Sequence, residues 1–148
     1  MCKLEEELEV AVKKIAYYLS FRSHSEKELK QKLSKKFSSA LIEKSLKLAK
    51  EKKWLEEPLE LSQKTAQMLD KKNKSWAYIK TYLRDKELPL PSYNREKELE
   101  KAERLLNKLL REDSQKTPLQ LKRLLANRGF ERVIVETALK EFDFENNL

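Results

Sequence analysis

A single glycine, Gly129, and four prolines, Pro58, Pro89, Pro91 and Pro118, are all the backbone breakers in this chain of 148 residues. Tight hairpin turns need residues that reach positive φ or hold φ fixed, so a sheet-rich fold would have almost no material for its turns. Lys, Glu and Leu dominate instead, and these are good helix formers. The chain is therefore expected to be all-α. Apolar and charged residues each make up 39% of it, which asks for narrow apolar stripes beneath a densely ionic surface.

Three segments open with a helix cap and then repeat one pattern. The caps are Ser25, Ser75 and Thr117. Four residues on stand Leu29, Ile79 and Leu121, and eight residues on Leu33, Leu83 and Leu125. Offsets of four and eight keep side chains on one helix face. Ser25 with Glu28, and Thr117 with Gln120, have the spacing of capping boxes, and Pro118 suits a first helical position. Beyond the cap, Leu41, Ile42, Ser45 and Leu46 in the first copy match Val133, Ile134, Thr137 and Ala138 in the third. Upstream lie further amphipathic stretches, among them Leu8, Ala11, Val12, Ile15 and Leu19. The unit reads as helix, capped helix, helix.

Fifty residues separate Ser25 from Ser75, but only forty-two separate Ser75 from Thr117. The deficit falls after Leu83, where Leu88-Pro89-Leu90-Pro91-Ser92 forbids a continuous helix. The expectation is an elongated tandem array of three-helix repeats with a shortened middle member. The first repeat, with an N-terminal extension, spans 1–56, the shortened second 57–94 and the third 95–148. Such small units need their neighbours to bury their apolar faces.

Lys and Arg number 33 against 25 Asp and Glu, a net charge of +8. The excess tracks the capped helices: residues 22–53 carry a net +7, 64–86 a net +5 and 115–130 a net +4. Five residues past each cap stand Lys30, Lys80 and Lys122; eleven past it stand Lys36, Lys86 and Arg128. The first set falls on the flank of the apolar face, where a long stem covers the core edge and the charge reaches outward. The second set falls in the last turn, where cations stabilise a helix end by about 0.3–1 kcal/mol and need no partner to explain them. The candidate contact residues for an anionic partner are Lys30, Lys32, Lys80, Lys122, Arg123 and Arg128.

Signals for chemistry are sparse. One histidine, His24, and one cysteine, Cys2, cannot supply a zinc site or a Ser-His relay. One glycine cannot build a phosphate-binding loop. The chain is read as a binding protein and not an enzyme, with no metal and no cofactor. An unpaired cysteine favours a reducing compartment. The acidic opening Glu5-Glu6-Glu7 does not suit an export signal, and no apolar run approaches the ~20 residues of a membrane span. A cytoplasmic, monomeric protein is expected. Trp76 reads as core beside Ile79 and Leu83, and Trp54 and Leu55 as packing for the joint between the first two repeats. Tyr78 and Tyr82, toward the outer flank of their helix, could stack on bases, although aromatics commonly cover core margins.

The run Tyr17-Tyr18-Leu19-Ser20-Phe21-Arg22-Ser23-His24-Ser25-Glu26-Lys27-Glu28-Leu29, with Lys32-Leu33 and Lys36 after it, resembles the RecX family. That family shows a leucine-ended helix, an arginine, a capping serine, then Glu-Leu and Lys-Leu pairs. A second likeness is Leu124-Leu125-Ala126-Asn127-Arg128-Gly129-Phe130, where Gly129 stands at a helix end suited to left-handed backbone. The resemblance covers roughly residues 10 to 142. The chain departs from the family where Lys53-Trp54-Leu55-Glu56-Glu57 replaces a run of glycine, leucine and paired aspartates. It departs again where Lys86-Glu87-Leu88 replaces Lys-Gly-Ile. The resemblance implies three-helix repeats and a modulator of the RecA recombinase. It would lie in the groove of a RecA filament on single-stranded DNA and restrain ATP hydrolysis and strand exchange. Two other readings fit the residues: a direct, sequence-nonspecific nucleic-acid binder, and a helical-repeat adaptor for some other protein.

Overall fold

The computed structural model describes the backbone of residues 3–146 and the side-chain environment of residues 3–142; Cys2 lies outside the described residues. Among these there are eight helices and no strand. Helices α1 (Lys3–Phe21), α2 (Glu26–Leu33) and α3 (Ser39–Glu51) form the first repeat, with α1 laid against α3. Helices α4 (Pro58–Lys71) and α5 (Trp76–Asp85) form the middle one. Helices α6 (Arg95–Glu112), α7 (Pro118–Asn127) and α8 (Arg132–Asn146) form the third. The middle repeat has no third helix: Pro89 and Pro91 carry no amide hydrogen, and the chain runs non-helically into α6.

The capped helices start as their sequences direct. Ser25 and Thr117 each complete a reciprocal capping box, with Glu28 and Gln120 returning the bond. Ser75 Oγ accepts from the Tyr78 amide at 3.2 Å. All six repeat positions, Leu29, Leu33, Ile79, Leu83, Leu121 and Leu125, are buried.

The residues pack into two compact units. One comprises the chain up to Ser62 together with Arg84–Pro89. Its core is Ile15, Leu29, Leu33, Ile42, Leu46 and Ala49, with Leu55 packed at the margin. The other comprises Gln63–Leu83 and the chain from Leu90 onward. Its core gathers Ala102, Leu105, Leu106 and Leu109 of α6, Leu121 and Leu125 of α7, and Ile134, Val135 and Ala138 of α8. Val133, matched by offset to the buried Leu41, is instead exposed, and Val135 takes the buried place. Helix α8 opens at Arg132, and Ile134, Val135 and Ala138 share its inner face. Trp76 is only half-buried, beside Tyr93 with ring centroids 5.8 Å apart, because the first residue of α5 sits at the margin that Ile79 and Leu83 close.

Helix ends supply the sharpest local rule. Residues with left-handed backbone are Lys53 (φ 58), Asn73 (φ 59), Glu87 (φ 53) and Gly129 (φ 92). Behind three of them the chain closes the same paired loop onto the helix. The amides of Trp54, Lys74 and Phe130 bond the carbonyls of Ala49, Leu69 and Leu125, satisfying otherwise unpaired carbonyls. Only Gly129 adopts the conformation without steric cost. There even a methyl group would come within 2.8 Å of Ser75 Oγ, a buried hydroxyl already committed to capping α5.

Two opposite outcomes are expected in urea or thermal denaturation. Gly129→Ala should lose about 2 kcal/mol or more, from left-handed strain together with the clash at Ser75. Lys53→Gly and Glu87→Gly should each gain about 1 kcal/mol by removing that strain. A gain from Gly129→Ala, or a loss from both glycine replacements, would contradict this account.

Candidate functional site

The candidate cations occupy quite different settings. In the first unit Lys30 is exposed on α2, one turn from Glu26 at 3.6 Å. Lys32 turns inward: its ammonium donates to His24 Nε2 at 2.7 Å and lies 4.9 Å from the centre of the Tyr18 ring. In the second unit Lys80 is half-buried on α5. Lys122 is also half-buried and pairs with Glu136 at 3.6 Å, while Arg123 and Arg128 are exposed. Lys122, Arg123 and Arg128 thus share α7 and its end, where the Arg128 amide bonds the last turn.

The tightest ionic contact in the first unit surrounds Glu28. Its Oε1 accepts from the Ser25 amide at 3.2 Å and so closes the cap of α2. Its Oε2 takes Arg22 Nη2 at 2.7 Å and Lys86 Nζ at 2.9 Å. Lys86 lies just past α5, so a residue of the middle repeat is bound to the helix start of the first. Burial opposes the charge on Glu28, but Arg22, Lys86 and the Ser25 amide outweigh it and bring its pKa down to about 2 from the usual 4.5. The repeat alignment points to a cation at Lys86; its carboxylate partner, fifty-eight residues earlier, carries no local signal.

His24 is buried next to this contact. Nδ1 stands 2.9 Å from the Arg22 carbonyl, and since the Lys32 ammonium can only donate, Nε2 accepts and Nδ1 carries the proton. The imidazole is neutral. Burial lowers its pKa, with the charges of Arg22 and Lys32 adding to the effect.

In the second unit Lys101 is 1% exposed. It bonds Asp70 Oδ1 at 2.7 Å and the Lys74 carbonyl at 2.9 Å, and pairs with Glu98. Glu98 in turn accepts from the Trp76 amide at 3.0 Å, which ties the start of α5 to α6. Periodicity alone places Lys101 on the edge of the α6 stripe and says nothing of its burial. On the outer side of α5 the Tyr78 and Tyr82 rings stack with centroids 6.2 Å apart, and Lys74 lies 4.9 Å from the Tyr78 ring centre. Tyr78 is 44% exposed. No cluster of three His, Cys, Asp or Glu suited to a metal ion occurs among the described residues, and none of their helices is long and apolar enough to cross a membrane. The arrangement presents cations on helical scaffolds.

Residues 11–47 match the family model of the first three-helix domain of RecX. No curated protein sequence matches the chain. The fold is that of the crystal structure of RecX from Lactobacillus salivarius, at a TM-score of 0.78 and 20% identity over 95% of this chain and 99% of that one. The crystal structure of a regulatory protein RecX is similar at a TM-score of 0.74 and 19% identity, over 89% of this chain and 72% of that one.

Acid should weaken the protein in two stages. His24 has its pKa lowered from the ordinary 6.5, so the unfolded chain takes up its proton first. The stability it lends is complete above that value and is lost as pH falls below it. Glu28 follows between 4.5 and about 2. Glu28→Gln should cost about 2–4 kcal/mol at neutral pH by removing the buried charge that Arg22 and Lys86 meet. It should also flatten the lower stage in melting curves recorded against pH. An unchanged acid limb in that variant would remove Glu28 from the account.

Proposed function

We propose that this chain, a protein of the RecX family, is a regulatory binding protein that acts on the RecA recombinase filament assembled on single-stranded DNA. The observation that carries the reading is the match of residues 11–47 to the RecX first three-helix domain, supported by a shared fold over nearly the whole chain. One of those structures is of a protein described as a regulatory RecX. In this reading the chain catalyses nothing and needs no cofactor. It binds in the filament groove through cations carried on its capped helices and restrains ATP hydrolysis and strand exchange. Exposed Lys30, Arg123 and Arg128, with Lys80 and Lys122 at the core margin, suit a surface lined by acidic protein and DNA phosphate. Lys32, held between His24 and Tyr18, orders the start of α2 and contributes least to direct contact.

A second reading has an observation of its own. The stacked Tyr78–Tyr82 pair beside Lys74 is the kind of surface on which unpaired bases stack. It favours direct contact with single-stranded nucleic acid.

Adding the protein to RecA on single-stranded DNA with ATP should inhibit hydrolysis at near-stoichiometric amounts. The variant Lys30→Glu/Lys80→Glu/Lys122→Glu should inhibit at least about tenfold less well. Inhibition that survives the triple change would move the contact elsewhere. Absence of inhibition, with steeply salt-dependent binding to bare single-stranded DNA that is lost in Tyr78→Ala/Tyr82→Ala, would put the second reading first.

A further inference from the structure

We infer that the first unit carries a docking groove for an extended basic peptide anchored by one apolar side chain. The groove has a volume of about 800 Å³, within the range of sites that enclose a ligand. Its apolar lining is Trp54 and Leu55 after α3, Pro58 and Leu61 in the first turn of α4, and Leu88 after α5. Leu61 and Leu88 are buried, but Trp54 is 37% exposed. The indole is held by Lys52, whose ammonium lies 5.0 Å from the ring centre. The exposed part of the ring offers an apolar face to whatever enters. Tryptophan in such a setting is a common energetic anchor of interfaces.

The charge around this face runs against the rest of the molecule. In a chain of net charge +8, the groove is lined by Glu26, Glu56, Glu57 and Glu60 against Lys50 and Lys53, with Lys52 beside the indole. Glu26 is neutralised by Lys50 at 2.9 Å and Lys30 at 3.6 Å. Glu56 accepts from Ser23 at 2.6 Å. Glu57 and Glu60 form no ion pair among the described residues. They stand on either side of Pro58 and near the indole, so a segment that seats an apolar side chain on Trp54 brings its flanking cations to them. Nucleic acid is repelled by the same pair. The occupant is a basic peptide, and the site is independent of the regulatory reading above, whose contacts are cations seeking anions.

Trp54 reports its own occupancy once Trp76→Phe leaves it as the sole indole. The probe is an acetylated, amidated pentapeptide with a central leucine between two pairs of arginines. At low salt it should shift Trp54 emission saturably. Glu57→Gln/Glu60→Gln should weaken binding about tenfold while leaving the protein folded, since both side chains are exposed. Serine in place of the central leucine should weaken it about tenfold as well, and glutamates in place of the arginines should abolish it. No response to the arginine–leucine peptide, or equal binding by the double variant or by the glutamate peptide, would overturn the proposal.

Discussion

One carboxylate holds the first unit in register. Glu28 divides its two oxygens between tasks that belong to different levels of structure. One closes the cap of α2, and the other receives Arg22 from the preceding turn and Lys86 from the middle repeat. A charge buried this far is favourable only when it is both paired and hydrogen-bonded, and here each condition is met by a different segment of chain. The local helix start and the anchoring of Lys86 therefore stand or fall together. Glu98 has the same double duty in the second unit, accepting the Trp76 amide while pairing with Lys101.

Much of this fold was legible before any coordinates. Helical periodicity and cap spacing identify six apolar positions, and burial follows at all six, from Leu29 to Leu125. The capping boxes at Ser25 and Thr117 form as their residue types require. The missing third helix of the middle repeat follows from the prolines at 89 and 91. These features were readable because each is decided within about two helical turns of chain.

What escaped was decided by distant partners or by backbone conformation. The alignment points to a cation at Lys86 but not to the carboxylate it reaches. Lys101 stands among leucines in α6, and a lysine can be buried there because Asp70, thirty-one residues away, and the Lys74 carbonyl join Glu98 in holding its ammonium. Lys53 and Glu87 occupy left-handed positions where the RecX pattern has glycine. At Lys53 the helix-closing loop is kept although the residue that makes it inexpensive is gone. Of the candidate contact residues, the sequence located the helices that carry them; it could not tell exposed Lys30 from Lys32, because the difference lies in His24 and Tyr18.

The internally paired ionic groups have a consequence for how the molecule meets another. Lys32, Arg22, Lys86 and Lys101 are engaged internally, and so are Glu28, Asp70 and Glu98. These groups cancel to within a single charge, so the internal pairing leaves almost the whole net +8 to the other side chains. A field of that kind acts before contact. It draws a polyanionic surface in over a range of about 10 Å at 0.1 M salt, accelerates encounter more than it slows release, and fades as salt shortens its reach. The folded interior thus leaves the rate of approach to be governed by ionic strength, whatever surface finally makes the contact.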